Sequence, residues 1–248
     1  MKKYSILMVL MVFSGKITAQ QGFTWRPEHT QDWTNPPRVV TPGESARPPS
    51  DAIVLFDGTD LSAWQHADGS EPRWTLGNGF VTTVPGAGNI QTRRVFGSVQ
   101  LHIEWRTPTD IPPQRTGQAR GNSGIFLQSR YELQVLEGYN NPTYSNGMVG
   151  SIYKQTAPMV NASRRPGEWQ VYDIFYFAPE FNGRGELLSP ARITVIHNGV
   201  LIHHNTIIQG NTEFIGLPNY EAHGRLPLIL QAHGGGPVDY RNIWIREL

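Results

Sequence analysis

An all-β fold built as a two-sheet antiparallel sandwich is what this 248-residue sequence predicts. Three observations carry that expectation. The 26 Gly and 19 Pro make about 18% of the chain, against about 12% in an average one. Charged residues stand at 17% while aromatics reach 10%, a balance unlike that of helical bundles, coiled coils or disordered chains. No window of helical length shows an apolar stripe of period 3.6, whereas short alternating or apolar runs recur throughout.

Met1 to Gln20 reads as a secretory signal. Lys2 and Lys3 form the positive start, Ile6 to Phe13 the apolar run, and Ala19 a cleavage point. The run is too short to span a bilayer, which takes about 20 residues, and Ser14, Gly15 and Lys16 end it. With no Cys to carry a lipid, no stable membrane anchor is expected, and the chain reads as exported, periplasmic or secreted. Residues 21–50 hold Pro27, Pro36, Pro37, Pro42, Pro48 and Pro49 and read as an extended lead-in. The sandwich domain is then 51–248. Its candidate strands are 52–56, 74–76, 80–83, 98–106, 124–128, 131–136, 171–177, 192–197, 200–205, 227–233 and 242–246, short runs in a stretch broken by Gly, Pro and Asn. Asn198-Gly199 between two of them predicts a type I′ hairpin, because both central positions need positive φ.

Charge excludes some functions. Removing the signal takes away three lysines and no acid, leaving 18 Lys+Arg against 20 Asp+Glu, too little positive charge for a nucleic-acid binder. The lack of Cys excludes disulfides, thiolate metal sites and a thiol nucleophile. No cofactor is expected, although an assisting divalent metal stays open. His203 and His204 are adjacent and face opposite sides of a strand, and His66, His197 and His223 show no ligand spacing.

Three strands hold the candidate chemistry. In 131–137, alternation places Glu132 and Gln134 on one face, opposite Leu133 and Val135. A bulge at Val135–Leu136 would return Glu137 to the Glu132 side. This spacing resembles the catalytic strand of laminarinase-type glycosidases, with an amide in place of the middle acid. It also describes a plain half-solvated strand face. In 226–236, Gln231 and His233 share a face, and three glycines follow the imidazole, a group that titrates near neutral pH. In 100–106, His102, Glu104 and Arg106 share a face and read as a cross-strand salt-bridge ladder, with Glu104 also able to reach a cleft. Lys154 is the only lysine beyond the signal, and the Pro-rich 107–120 loop is placed to wall one end of a cleft.

Phe56-Asp-Gly-Thr-Asp-Leu-Ser-Ala-Trp64, Asn122-Ser-Gly-Ile125, Tyr131 to Glu137, Gly150-Ser-Ile-Tyr153, Pro166-Gly-Glu-Trp169, His197-Asn-Gly199 and Gln231-Ala-His-Gly234 through Ile243 occur in one order. As an ordered set they resemble the 3-keto-disaccharide hydrolase family, also described as 3-keto-glucoside 1,2-lyase/3-keto-2-hydroxyglucal hydratase domains. The resemblance implies a concanavalin A-like jelly roll acting on an oligosaccharide or glycoside. The C3 ketone acidifies the C2 proton; a base removes it, the C1 substituent leaves by β-elimination, and water adds back. Carried onto this chain, Glu132 or His233 is the C2 base and Glu137 its acid/base partner. Lys154 stabilises the enolate, and Gln134, Gln231 and Asn122 bind hydroxyls. Arg241 orients a carboxylate or serves the fold with Ile243 and Ile245 on its face, and Tyr153 or Trp105 stacks on a sugar. The sequence departs from the family pattern at Glu137, where Asp is usual, at Gln170, where Asn is common, and in a longer 107–120 loop. Two other readings stand beside it. One is an ordinary retaining glycosidase, with Glu132 and Glu137 about 5–5.5 Å apart, and the other is a non-catalytic carbohydrate-binding domain.

Overall fold

The computed structural model describes residues 24, 26–32, 34, 36–44 and 47–248; the signal expected at 1–20 lies outside them. Val40–Leu248 forms the larger of two units, and the described part of the other holds a 3-10 turn, Pro27–Thr30. Along the larger unit run β1 (Ile53–Phe56), β2 (Trp64–Gln65), β3 (Thr75–Gly77), β4 (Phe80–Thr82), β5 (Ile90–Thr92), β6 (Val99–Arg106), β7 (Ser123–Leu127) and β8 (Tyr131–Val135). After them come β9 (Gln170–Phe177), β10 (Glu180–Phe181), β11 (Leu187–Ser189), β12 (Arg192–His197), β13 (Val200–Ile207), β14 (Ile229–Leu230) and β15 (Asp239–Glu247).

Eight strands form one antiparallel sheet, β13-β12-β9-β6-β15-β4-β3 with β1 also on β15, and five form a second, β2-β5-β14-β7-β8. Period-two alternation makes the sandwich. Leu101, Ile103, Tyr172, Ile174 and Val195 of the large sheet are at most 1% exposed and share one buried cluster with Ile125, Leu133, Val135 and Leu230 of the small one. Trp105 belongs to that cluster, between Tyr172 and His197, so the core rather than a sugar takes its ring.

Several expectations shift for physical reasons. The strands β2, β5, β10 and β11 went unforeseen because two or three residues show no period. The run 227–233 shortens to Ile229–Leu230: Pro227 has no N–H to give a ladder, and Ala232 N is bound by the Asn89 side chain (3.0 Å) instead of a strand. The last strand starts earlier than expected and bulges at Asn242, between the shifted partners Arg241 and Trp244; its φ of +46° is a left-handed value that Asn tolerates.

 The bulge resets the alternation, so Ile243 and Ile245 face the core while Arg241 does not share their face, contrary to the simple alternating pattern. The Asn198-Gly199 turn has positive φ at both residues (52° and 83°) and joins β12 to β13 at the His197–Val200 pair, as type I′ chemistry requires.

The ladder on the outer face of the large sheet is cross-strand. His102 Nδ1 lies 2.7 Å from Asp173 Oδ1, Arg241 donates to Glu104 (2.6 Å), and Arg106 donates to Asp239 (2.8 Å), each pair in register. Burial alone would lower the His102 pKa, but Asp173 and Glu104 override it and raise it from 6.5 to about 9. Burial alone would likewise raise Glu104, but His102, Asn242 and Arg241 bring it from 4.5 down to about 2. The His102 contribution to stability is therefore complete below pH 6.5 and lost as pH climbs through 9; that of Glu104 is complete above pH 4.5 and lost as pH falls through 2. Thermal unfolding should show a loss of about 1–2 kcal/mol between pH 6.5 and 9.5 that His102→Gln removes; a loss of equal size in the variant would refute the assignment.

Candidate active-site cleft

β8 is the last strand of its sheet, so its outer edge would be bare backbone. Residues 150–153 cap it instead: Gln134 N donates to Ser151 O (2.9 Å), Gly150 N to Gln134 O (3.0 Å) and Tyr153 N to Glu132 O (3.1 Å). Glu132 N donates to the Thr212 hydroxyl (2.9 Å). With the backbone held on both sides, Leu133 and Val135 enter the core and Glu132 and Gln134 point the other way, into a cleft of about 590 Å³.

Glu132 is 5% exposed and has no ion-pair partner among the described residues. Burial pushes its pKa from 4.5 up to about 8. Among the described lining residues it is the only carboxylate, and none is Lys or Arg. Its room comes from Gly124 on β7, where a Cβ would fall 2.3 Å from Glu132 Oε1 and 3.0 Å from the Phe126 ring. The Gln134 amide is oriented by its neighbours: with its nitrogen turned toward β7 and the acid it donates to Glu132 Oε1 (3.2 Å) and Ser123 O (3.0 Å), which suits the carboxylate.

Gln118 rides a 3-10 turn, Gly117–Ala119, at the end of the 107–120 loop and donates to Gly147 O (2.8 Å) and the Thr143 hydroxyl (3.1 Å). Its backbone carbonyl receives the Asn122 amide (2.9 Å). His233 follows β14. Gly235 N donates to its Nδ1 (3.1 Å), which leaves the proton of the neutral ring on Nε2, and burial lowers its pKa. The turn is tied to the residues just before β7 by Gly121 N donating to Gly235 O (2.8 Å), and a Cβ on Gly235 would meet Asn122 at 2.7 Å. Tyr144 and Tyr153, also in the lining, share a hydroxyl contact of 2.7 Å, and burial first, then that contact, raises the Tyr153 pKa.

The cleft thus gathers Glu132, Gln134, Asn122, Tyr153, Gln231 and His233. Four other residues named from sequence lie elsewhere. Glu137 is 2% exposed, outside the cleft lining, its carboxylate taken by the Thr107 hydroxyl (2.6 Å) and Tyr139 N–H (2.7 Å). It holds the root of the 107–120 loop. Lys154 sits exposed at the rim, its Nζ 5.1 Å from the ring centroids of Tyr144 and Phe214. Glu104 and Arg241 pair with one another in the outer-face ladder, where the guanidinium also stacks on Trp169 at 4.0 Å. Sequence reasoning missed Gln118, Phe126, Tyr144, Thr212 and Phe214. The signal for Phe214 was present: with Ile215 and Leu217 it makes an apolar cluster in a long loop. Among the described residues no group of three or more His, Asp or Glu is placed to hold a metal ion, and no helix is long and apolar enough to cross a membrane.

A two-sheet sandwich whose amide- and aromatic-lined cleft holds one buried acid is the frame of a carbohydrate-active, glycoside-acting protein. The chain belongs to the 3-keto-alpha-glucoside-1,2-lyase-like domain family, whose family model matches residues 51–246. It is similar to a crystal structure from Parabacteroides distasonis of a protein provisionally assigned as a glycosyl hydrolase, with 50% identity, a TM-score of 0.86, and 90% of this chain and 97% of that one covered. Two further proteins of that organism, given the same provisional assignment, share the fold. One has 18% identity, a TM-score of 0.58 and coverage of 80% and 94%; the other has 20%, 0.56, and 79% and 99%. The fold is therefore the jelly-roll sandwich expected from sequence. No curated protein matches the chain.

Proposed function

We propose that the cleft cleaves 3-keto-glycosides, 3-keto-disaccharides among them, by β-elimination and hydration with net hydrolysis. The observation that carries this reading is Glu132, a lone buried carboxylate with a pKa of about 8 and no cation beside it. Desolvation makes it a stronger base than an ordinary carboxylate, and it exchanges a proton readily near neutral pH. Glu132 removes the C2 proton, and the electrons move onto the C3 oxygen, where the His233 Nε2–H donates to the developing enolate. The C1–O bond then breaks, and the departing oxygen takes the proton from Glu132. In the second half water adds at C1, gives its proton to Glu132, and C2 receives it back. One acid/base group serves both halves.

Gln134, Gln231 and Asn122 bind hydroxyls, Lys154 adds positive charge from the rim, and Glu137 acts through the loop that carries Gln118. A retaining glycosidase needs a second carboxylate about 5–5.5 Å from the first, and Glu137 has both oxygens engaged outside the cleft. Export through the signal at 1–20 belongs to the same proposal. The test is an assay of the purified protein on paired 3-keto and unoxidised glycosides across pH. Turnover of the 3-keto member alone is expected, with kcat/KM rising about tenfold per pH unit and levelling near pH 8. Cleavage of the unoxidised member would sink the reading, and binding without turnover of either would favour a carbohydrate-binding domain.

A further inference from the structure

The loop between β13 and β14 exposes three large apolar side chains in four residues: Phe214 (71%), Ile215 (83%) and Leu217 (89%). A soluble surface tolerates scattered apolar residues, but a cluster at the mouth of a cleft marks a contact surface. Its stem is fixed. Asn211 N donates to Asn219 O (2.8 Å), and Thr212 N to Arg130 O (2.8 Å), while the Thr212 hydroxyl receives Glu132 N–H. A Cβ on Gly210 would meet the Asn219 backbone at 2.5 Å, so the neck is tight. The tip is thus presented from the backbone of the strand that carries Glu132. Phe214 lines the cleft, and the Lys154 ammonium lies between its ring and that of Tyr144.

We propose that this rim is a subsite for an aromatic aglycone, so that the substrates are glycosides whose C1 substituent is an aryl or fused-ring group. The inference rests on the glycoside reading of the cleft. A pyranose offers narrow C–H patches and many hydroxyls, which the amides of the cleft floor match. Phe214, Ile215 and Leu217 offer no hydrogen bonds and a wide apolar area. An aromatic ring can stack on Phe214 and take cation–π contact from Lys154.

The test compares methyl and 4-methylumbelliferyl 3-keto-glucosides in the native protein, Phe214→Ala and Leu217→Ser. Because all three side chains are exposed, the variants should fold, and circular dichroism checks it. The aryl-to-methyl ratio of kcat/KM is expected to fall about five- to tenfold in each variant. An unchanged ratio would overturn the proposal: equal losses on both substrates would mark a lid, and loss of self-association in Leu217→Ser would mark a contact with a second copy of the chain. Calorimetry with the unoxidised aryl and methyl glucosides reads the subsite without turnover. If aryl binding weakens selectively in the variants while no 3-keto-glycoside is turned over, the reaction fails and the subsite stands.

Discussion

Replacing Glu132 by Gln is expected to lower kcat on a 3-keto-glycoside by about 1,000-fold or more while making the protein more stable at alkaline pH. Both effects follow from one burial. The amide keeps the volume and can still meet Gln134, but it cannot accept the C2 proton. The folded pKa of Glu132 is raised from 4.5 to about 8. Its contribution to stability is therefore whole below pH 4.5 and lost as pH rises to 8, where burial opposes a charge that the unfolded chain carries freely. The Glu132→Gln variant escapes that loss, with a gain of about 1–3 kcal/mol at pH 8 and almost none at pH 4. Urea unfolding at the two pH values measures it. A variant that is inactive and also less stable at pH 8 would show Glu132 to be a structural acid.

Gly124→Ala should cost about 100-fold in kcat with only about 1–2 kcal/mol of stability. The added methyl group would start 2.3 Å from Glu132 Oε1, so the carboxylate must move, and it would also stand 3.0 Å from the Phe126 ring two residues along the strand. β7 is otherwise regular there, and alanine suits its backbone, so the loss should fall on kcat and not on folding. Shortening the acid supplies a check. Adding Glu132→Asp to Gly124→Ala should cost less than the two losses combined, because the shorter side chain vacates the contested space. Strict additivity would show that the glycine has no such role.

Local chemistry made much of this molecule legible. The Asn198-Gly199 turn needs only its own two residues, and the His102, Glu104 and Arg106 ladder needs only period two. The same alternation put Glu132 and Gln134 on one face, and Gln231 and His233 join them because β14 docks on β7. Glu137 was harder. Val135 and Leu136 are both fully buried, so the alternation does reset there, but the strand ends at Val135 and the acid swings away to clamp Thr107. Arg241 was displaced from its assumed face by a single bulge residue, Asn242, whose positive φ no hydrophobic pattern reveals. Gln118, Tyr144 and Phe214 sit on loops placed by hydrogen bonds to distant segments, such as Asn141 to Gly117, and these leave no periodic trace.

The cap on the outer edge of β8 has a consequence for handling and for variation. An unpaired edge strand invites pairing with another chain, and residues 150–153 with Thr212 prevent it here. The segments that shield the edge are also those that bring Tyr153 and Phe214 to the cleft. Changes that loosen them in search of a wider substrate range would therefore bare a sticky strand, and precipitation would accompany the altered selectivity. Solubility and the shape of the cleft are, in this protein, one property of one stretch of backbone.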